Sequence, residues 1–208
     1  MKLFLTSKFT NVHGELKSLL DRNPKDLRLA FIPTAADPYK NKDFVKNDLE
    51  CLRKMGFHIK IVDLKNKTKS KLAEFLHGAD VIFVEGGSTF YLLKEARKSG
   101  FLEIVPKLVQ NGTVYVGVSA GTYLACPSIE QSNWKHKGSN FVRLRNLNAL
   151  GLVPYLISVH YKPEYSELIK IGKENSRFKV RILNDNQAFV ILGNKTKLVG
   201  KDQKEIRV

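Results

Sequence analysis

Cysteine is nearly absent: Cys51 and Cys126 are the only two in 208 residues. Two such distant thiols build no disulfide framework and offer no metal-binding spacing. A reducing, cytoplasmic setting is the expectation. Long apolar runs are also missing, and none approaches the roughly 18 residues of a membrane span. The opening Met1–Lys8 is too short in its apolar part for a signal peptide and reads as a first strand. No linker, repeat or low-complexity tract interrupts the chain, so a single domain over residues 1–208 is expected. Acidic residues are scarce, 20 against 35 basic, giving a net charge of +15. That surplus would suit a polyanion, but the lysines are scattered over helix faces and loops with no basic run interleaved with aromatics. Nucleic-acid binding is therefore not the expected function, and a solvated lysine surface is.

What is present is an alternation of strand-like and helical segments. Apolar β-type runs cover Lys2–Ser7, Arg28–Pro33, His58–Leu64, Val81–Val84, Thr113–Val116 and Leu156–Val159. Between them, Asp43–Met55 places Phe44, Val45, Leu49, Leu52 and Met55 at helical spacing, and Gly56 stops it. Lys69–His77, Ser88–Lys98 with Ser88 as cap, Leu102–Gln110 and Pro163–Glu174 also read as helices. Three short strands, Lys179–Leu183, Ala188–Leu192 and Lys197–Val199, suggest a small antiparallel extension. Pro127–Asn148 has no clear period and reads as a long loop walling a pocket. The fold class is α/β, a three-layer αβα sandwich around a mainly parallel sheet. Sites in such sheets form beyond the carboxyl ends of the strands.

Three segments lie at such ends: Glu85-Gly86-Gly87, Gly117-Val118-Ser119-Ala120-Gly121 and His160. Gly-x-Ser-x-Gly on its own is often an ordinary turn. Set between a strand and a helix it matches a nucleophile elbow, in which the glycines permit a sharp turn and leave the hydroxyl above the sheet. A serine needs a base to react at neutral pH. His160, ending a strand beyond the elbow, fits that role better than His13, His58 or His77, which lie before it, or His136 in the solvated Lys135-His136-Lys137 stretch. An acceptor must orient the imidazole. Asp185 gives the order Ser…His…Asp, with Glu130 and Glu164 as rivals; its alternative role is a hairpin turn with Asn186. Backbone N–H groups of Ala120 and of the Gly86-Gly87 pair could bind an oxyanion, each worth ~3 kcal/mol of barrier. Serine at 119, with Cys126 beyond it in the following helix, argues against a cysteine-dependent amidotransferase.

Val84–Leu93, Gly117–Gly121, Cys126-Pro127-Ser128-Ile129-Glu130 and Phe31–Ala35 together resemble the peptidase E and cyanophycinase group, serine peptidases on a class I glutamine amidotransferase-like fold. The resemblance spans nearly the whole chain. It implies a dipeptidase E-like hydrolase of short peptides, with N-terminal aspartate as a possible specificity and with no metal or cofactor. By position, Ser119 is the nucleophile, His160 the base, Asp185 the third member, and Gly87 and Ala120 the oxyanion donors. It also places Glu130, Asn133 and Trp134 at the substrate pocket. Family members often carry Asn-Asp where this chain has Asn133-Trp134, and tryptophan cannot orient an imidazole. Either Asp185 completes the triad or the protein is a catalytically impaired, peptide- or small-molecule-binding relative. A monomer or homodimer is expected.

Overall fold

The computed structural model describes residues 1–135, 140–201 and 203–208; His136, expected to be solvated, lies outside them. Seven strands form the main sheet: β1 (Lys2–Thr6), β2 (Arg28–Ile32), β3 (His58–Ile61), β4 (Val81–Val84), β5 (Val114–Val118), β8 (Gln187–Leu192) and β9 (Lys195–Gly200). Their spatial order is β3-β2-β4-β5-β1-β8-β9. The first five are parallel, whereas β8 runs antiparallel to β1 and β9 antiparallel to β8. The expected antiparallel extension is thus made by β8 and β9. The first of the three expected strands, β7 (Val180–Ile182), instead pairs in parallel with β6 (Leu156–Ser158) as a separate two-stranded ribbon.

The parallel strands are apolar without interruption because both sheet faces are covered, which is the usual condition of parallel sheets. In β4 every residue is buried, and the side chains alternate between two cores. Ile82 and Val84 face a cluster with Leu3, Leu5 and Tyr115, while Val81 and Phe83 face a second with Phe4, Phe31 and Val116. The first core packs against α2 (Lys69–Leu76), α3 (Thr89–Lys98), α4 (Phe101–Gln110) and α5 (Ala120–Ala125), the second against α1 (Asp43–Met55) and the 3₁₀ turns of the first 20 residues. A sixth helix, α6 (Ser166–Glu174), follows a 3₁₀ turn at Pro163–Tyr165. The result is the three-layer αβα sandwich with a mainly parallel sheet.

Start and stop signals act locally as the sequence suggests. Gly56 adopts φ +98° at the end of α1, a left-handed conformation natural to glycine. The Ser88 side chain accepts the Tyr91 N–H at the start of α3. Phe83 lies at the centre of the second core, stacked on Phe31 at 5.1 Å between centroids and edge-on to Phe9 at 4.9 Å. Truncating it opens a cavity that neighbouring strands cannot collapse into. Phe83→Ala is expected to lower unfolding free energy by about 3–5 kcal/mol, read from the midpoint of urea denaturation.

Candidate active site

The elbow forms where β5 ends and α5 begins. Ser119 occupies φ +49°, ψ −103°, outside the regions that side-chain-bearing residues favour. Small residues make that turn possible. A Cβ on Gly121 would lie 2.1 Å from the Val84 carbonyl oxygen, and one on Gly117 would lie 2.7 Å from the Gly121 carbonyl. Strand β4 and helix α5 can approach this closely only through glycine. The Thr122 hydroxyl then ties the turn to its neighbours, donating to a carbonyl oxygen at Thr6 or Gly117 and accepting the Thr6 N–H.

His160 follows β6 and also has a positive φ, +55°. Its N–H donates to Ser7 Oγ at 3.0 Å, and Ser7 Oγ in turn donates to the Leu183 carbonyl. Ser7, just past the end of β1, therefore carries the histidine into place. It is a positioning residue that the sequence reading did not single out, and its place at a carboxyl strand end was the available signal. The next residue, Tyr161, donates its N–H to the same Leu183 carbonyl.

The imidazole links two of the expected partners. Nε2 lies 2.9 Å from Ser119 Oγ, and Nδ1 lies 2.6 Å from Asp185 Oδ1. With a carboxylate at Nδ1, that nitrogen carries the proton and Nε2 is left to accept the serine hydroxyl. Hydrogen bonding to His160 holds the Asp185 carboxyl below its ordinary value against the opposing effect of partial burial, with further help from the His160, Lys8 and Lys135 charges. The turn that presents Asp185 is fixed by Asn11, whose amide donates to the Asp185 carbonyl and to Asn186 Oδ1. A turn residue and an imidazole partner are thus the same residue. The carboxylate that position 134 lacks has a counterpart beside the ring.

Ser119 and His160 open into a cavity of about 660 Å3, within the range of small-ligand sites. Its walls are mainly apolar, with Phe9, Tyr39, Phe44, Phe90 and Phe141 among the lining side chains. Gly86 and Gly87 lie along the same cavity; a Cβ on Gly86 would come 3.2 Å from Ser119 Cβ. Gly87, at φ +137°, lies against the Ala35 carbonyl, which a Cβ would approach to 2.2 Å. Ala120 is the first residue of α5, so its N–H has no acceptor within its own helix.

The residues expected at the substrate pocket are placed differently. Glu130 faces a separate cleft beside Arg145 and Arg177, with its carboxylate accepting from Ser128 and Ser176. Trp134 turns away and lies on Gly172 of α6, where a Cβ would meet the indole at 2.2 Å. Asn133 is exposed. Residues Glu130–Asn133 form a 3₁₀ turn, so positions three apart share a face. The face toward the cavity carries Ser132 and Lys135 instead. Phe141, also from the 127–148 segment, adds to that wall. Lys135 is 9% exposed, its ammonium donates to the Val159 carbonyl, and burial lowers its pKa to about 8.

A cysteine nucleophile finds no support in this geometry. Cys126 is fully buried, and burial pushes its thiol up to about 12, so it stays protonated.

The description of peptidase family S51 matches residues 3–199. The chain belongs to peptidase family S51. An uncharacterized peptidase of Pasteurella multocida (strain Pm70) is 28% identical over 205 residues, 98% of this chain and 99% of that one. Peptidase E of Nostoc sp. is 29% identical over 168 residues, 77% of this chain and 65% of its own length. A crystal structure of a candidate peptidase E from Listeria monocytogenes EGD-e superposes with a TM-score of 0.86 at 26% identity, covering 97% of this chain and 98% of that one. The structural neighbour shares the fold over nearly the whole chain. No helix among the described residues is long and apolar enough to cross a membrane.

Proposed function

We propose that this S51 member is a serine peptidase that hydrolyses short peptides through an acyl-enzyme on Ser119. The observation that carries the reading is the continuous chain Ser119 Oγ, His160 Nε2, His160 Nδ1, Asp185 Oδ1, with links of 2.9 and 2.6 Å. Ser119 Oγ attacks the scissile carbonyl while His160 Nε2 takes its proton. Asp185 stabilises the imidazolium and keeps the ring in register. The tetrahedral oxyanion is met by the N–H groups of Ala120 and Gly87. His160 returns the proton to the departing amine. Water then attacks the acyl-enzyme, with His160 again as base, and releases the acid and free Ser119.

The apolar cavity suits a short peptide rather than a folded protein. Lys135 supplies a cation at its wall, so a peptide with an N-terminal aspartate is the first substrate to test. Attack on a fluorophosphonate uses the same nucleophile and base without needing the natural substrate. Intact-mass and peptide mapping should find one adduct, on Ser119, that is absent in Ser119→Ala. A protein left unlabelled between pH 6 and 9 would overturn the proposal.

A further inference from the structure

The proposed reaction leaves two buried carboxyl groups at the cavity without a task. Glu85, at the carboxyl end of β4, is 1% exposed, and Asp48, from the middle of α1, is 5% exposed. Both line the cavity that holds Ser119. Glu85 Oε1 accepts the Gly86 N–H at 2.6 Å. Its other oxygen, Oε2, is buried and has no hydrogen-bond donor among the ordinary donor groups of the described residues. Asp48 is what lies in hydrogen-bonding contact with that carboxyl.

Resting on the serine-peptidase reading, we propose that Asp48 and Glu85 share one proton and together position the oxyanion-binding backbone at Gly86–Gly87. Two adjacent buried carboxylates cannot both be charged without a large cost, so one proton is held between them. Burial, followed by repulsion between the two, raises Glu85 well above the ordinary carboxyl range, while burial raises Asp48 to about 7. The surrounding charges decide where the proton sits. Lys8 faces Asp48, and the Thr10 N–H also donates to it, so the negative charge settles there. Cys51, one turn along α1, and His160, Lys135, Tyr39 and Tyr123 around the cavity are the other titratable groups nearby. The proton then occupies Glu85 Oε2 and is donated to Asp48, which accounts for the oxygen with no other partner. Glu85 Oε1 is left as a fixed acceptor for the Gly86 N–H.

That bond bears on the chemistry because Gly86 lies against Ser119 and precedes the oxyanion donor. The segment is held on either side, by the Glu85 N–H to the Ile32 carbonyl and the Ser88 N–H to the Ala35 carbonyl. Between those two points the Gly86 peptide is set by Glu85. Losing the shared proton leaves two buried negative charges that repel, which displaces the Glu85 carboxylate together with the Gly86 N–H it holds and turns the Gly87 N–H off its target. A donor displaced by an ångström is enough to lower kcat about 10²-fold.

Glu85→Gln separates this role from a merely structural one. Glutamine keeps an acceptor for Gly86 and supplies a permanent donor to Asp48. In the wild type, the infrared carbonyl band of a protonated carboxyl should be present at pH 8 and vanish on further alkalinisation. kcat for peptide hydrolysis should fall in parallel, about tenfold per pH unit past that titration, with KM less affected. In Glu85→Gln the band should be missing and the alkaline fall abolished. Glu85→Ala should lose about 10² in kcat. Wild-type alkaline behaviour retained in Glu85→Gln, or a fully ionised pair at pH 8, overturns the proposal. If the wild type neither hydrolyses peptides nor labels at Ser119, the serine-peptidase reading fails by itself, and the infrared band still reads the pair.

Discussion

Ser119→Ala should reduce kcat for any peptide that the wild type cleaves by about 10⁶-fold, with KM almost unchanged. The split follows from the geometry. The side chain lost is a single hydroxyl whose job begins in the transition state, whereas the apolar walls that bind a peptide are untouched. Fold stability should not suffer, because Ser119 Oγ contacts His160 and supports no core packing; the turn is held by Thr122, Gly117 and Gly121. Progress curves followed by mass spectrometry, on a panel of short peptides differing in the first residue, would read both constants. A Ser119→Ala protein that retains more than a small fraction of wild-type turnover would mean that Ser119 is not the nucleophile. The residual rate expected, about 10³–10⁴ over water, is what binding and oxyanion donors supply without covalent chemistry.

How much of this was legible in the sequence depends on the range over which each feature is encoded. Helix α1 appears with the boundaries that its apolar spacing, Phe44 to Met55, and Gly56 imply, because periodicity and a stop signal are local. The continuous apolar run Val81–Val84 is a strand buried on both faces, as such runs are in parallel sheets. Strand partners are another matter. Nothing in Val180–Ile182 distinguishes pairing with β6 from joining β8, and the structure chooses β6. The elbow was legible because a strand, two glycines and a helix are contiguous. The 3₁₀ turn at Glu130–Asn133 was not, and its period of three moved the cavity-facing positions from Glu130, Asn133 and Trp134 to Ser132 and Lys135. The partners of Ser7 and Asp48 were hidden for a different reason. Each acts on a residue far along the chain, His160 or Glu85, and no local pattern records such a pairing.

Asp185→Asn carries the second largest effect, a fall in kcat of about 10⁴-fold with the fold retained. The amide is isosteric with the carboxylate, and Asn11 would still hold the turn through the residue 185 carbonyl and Asn186. What changes is the proton on the ring. The carboxylate accepts from Nδ1 and leaves Nε2 free to receive the Ser119 proton; an asparagine that turns its NH₂ toward Nδ1 favours the opposite tautomer, with Nε2 protonated and unable to act as base. The charge that would stabilise the imidazolium is also gone. Asp185 is held below its ordinary carboxyl range, chiefly by its bond to His160, so its folded-state ionisation favours the native state at pH above the unfolded value and is lost as pH falls through the folded one. In the wild type Asp185 is therefore ionised at neutral pH, where it can orient His160. Asp185→Asn removes that contribution to stability, so wild type and variant should converge in thermal stability at low pH and separate toward neutrality. Turnover measured from pH 5 to 9 alongside melting curves would test both. A variant within tenfold of wild-type kcat would show that Asp185 is not what orients His160 for catalysis.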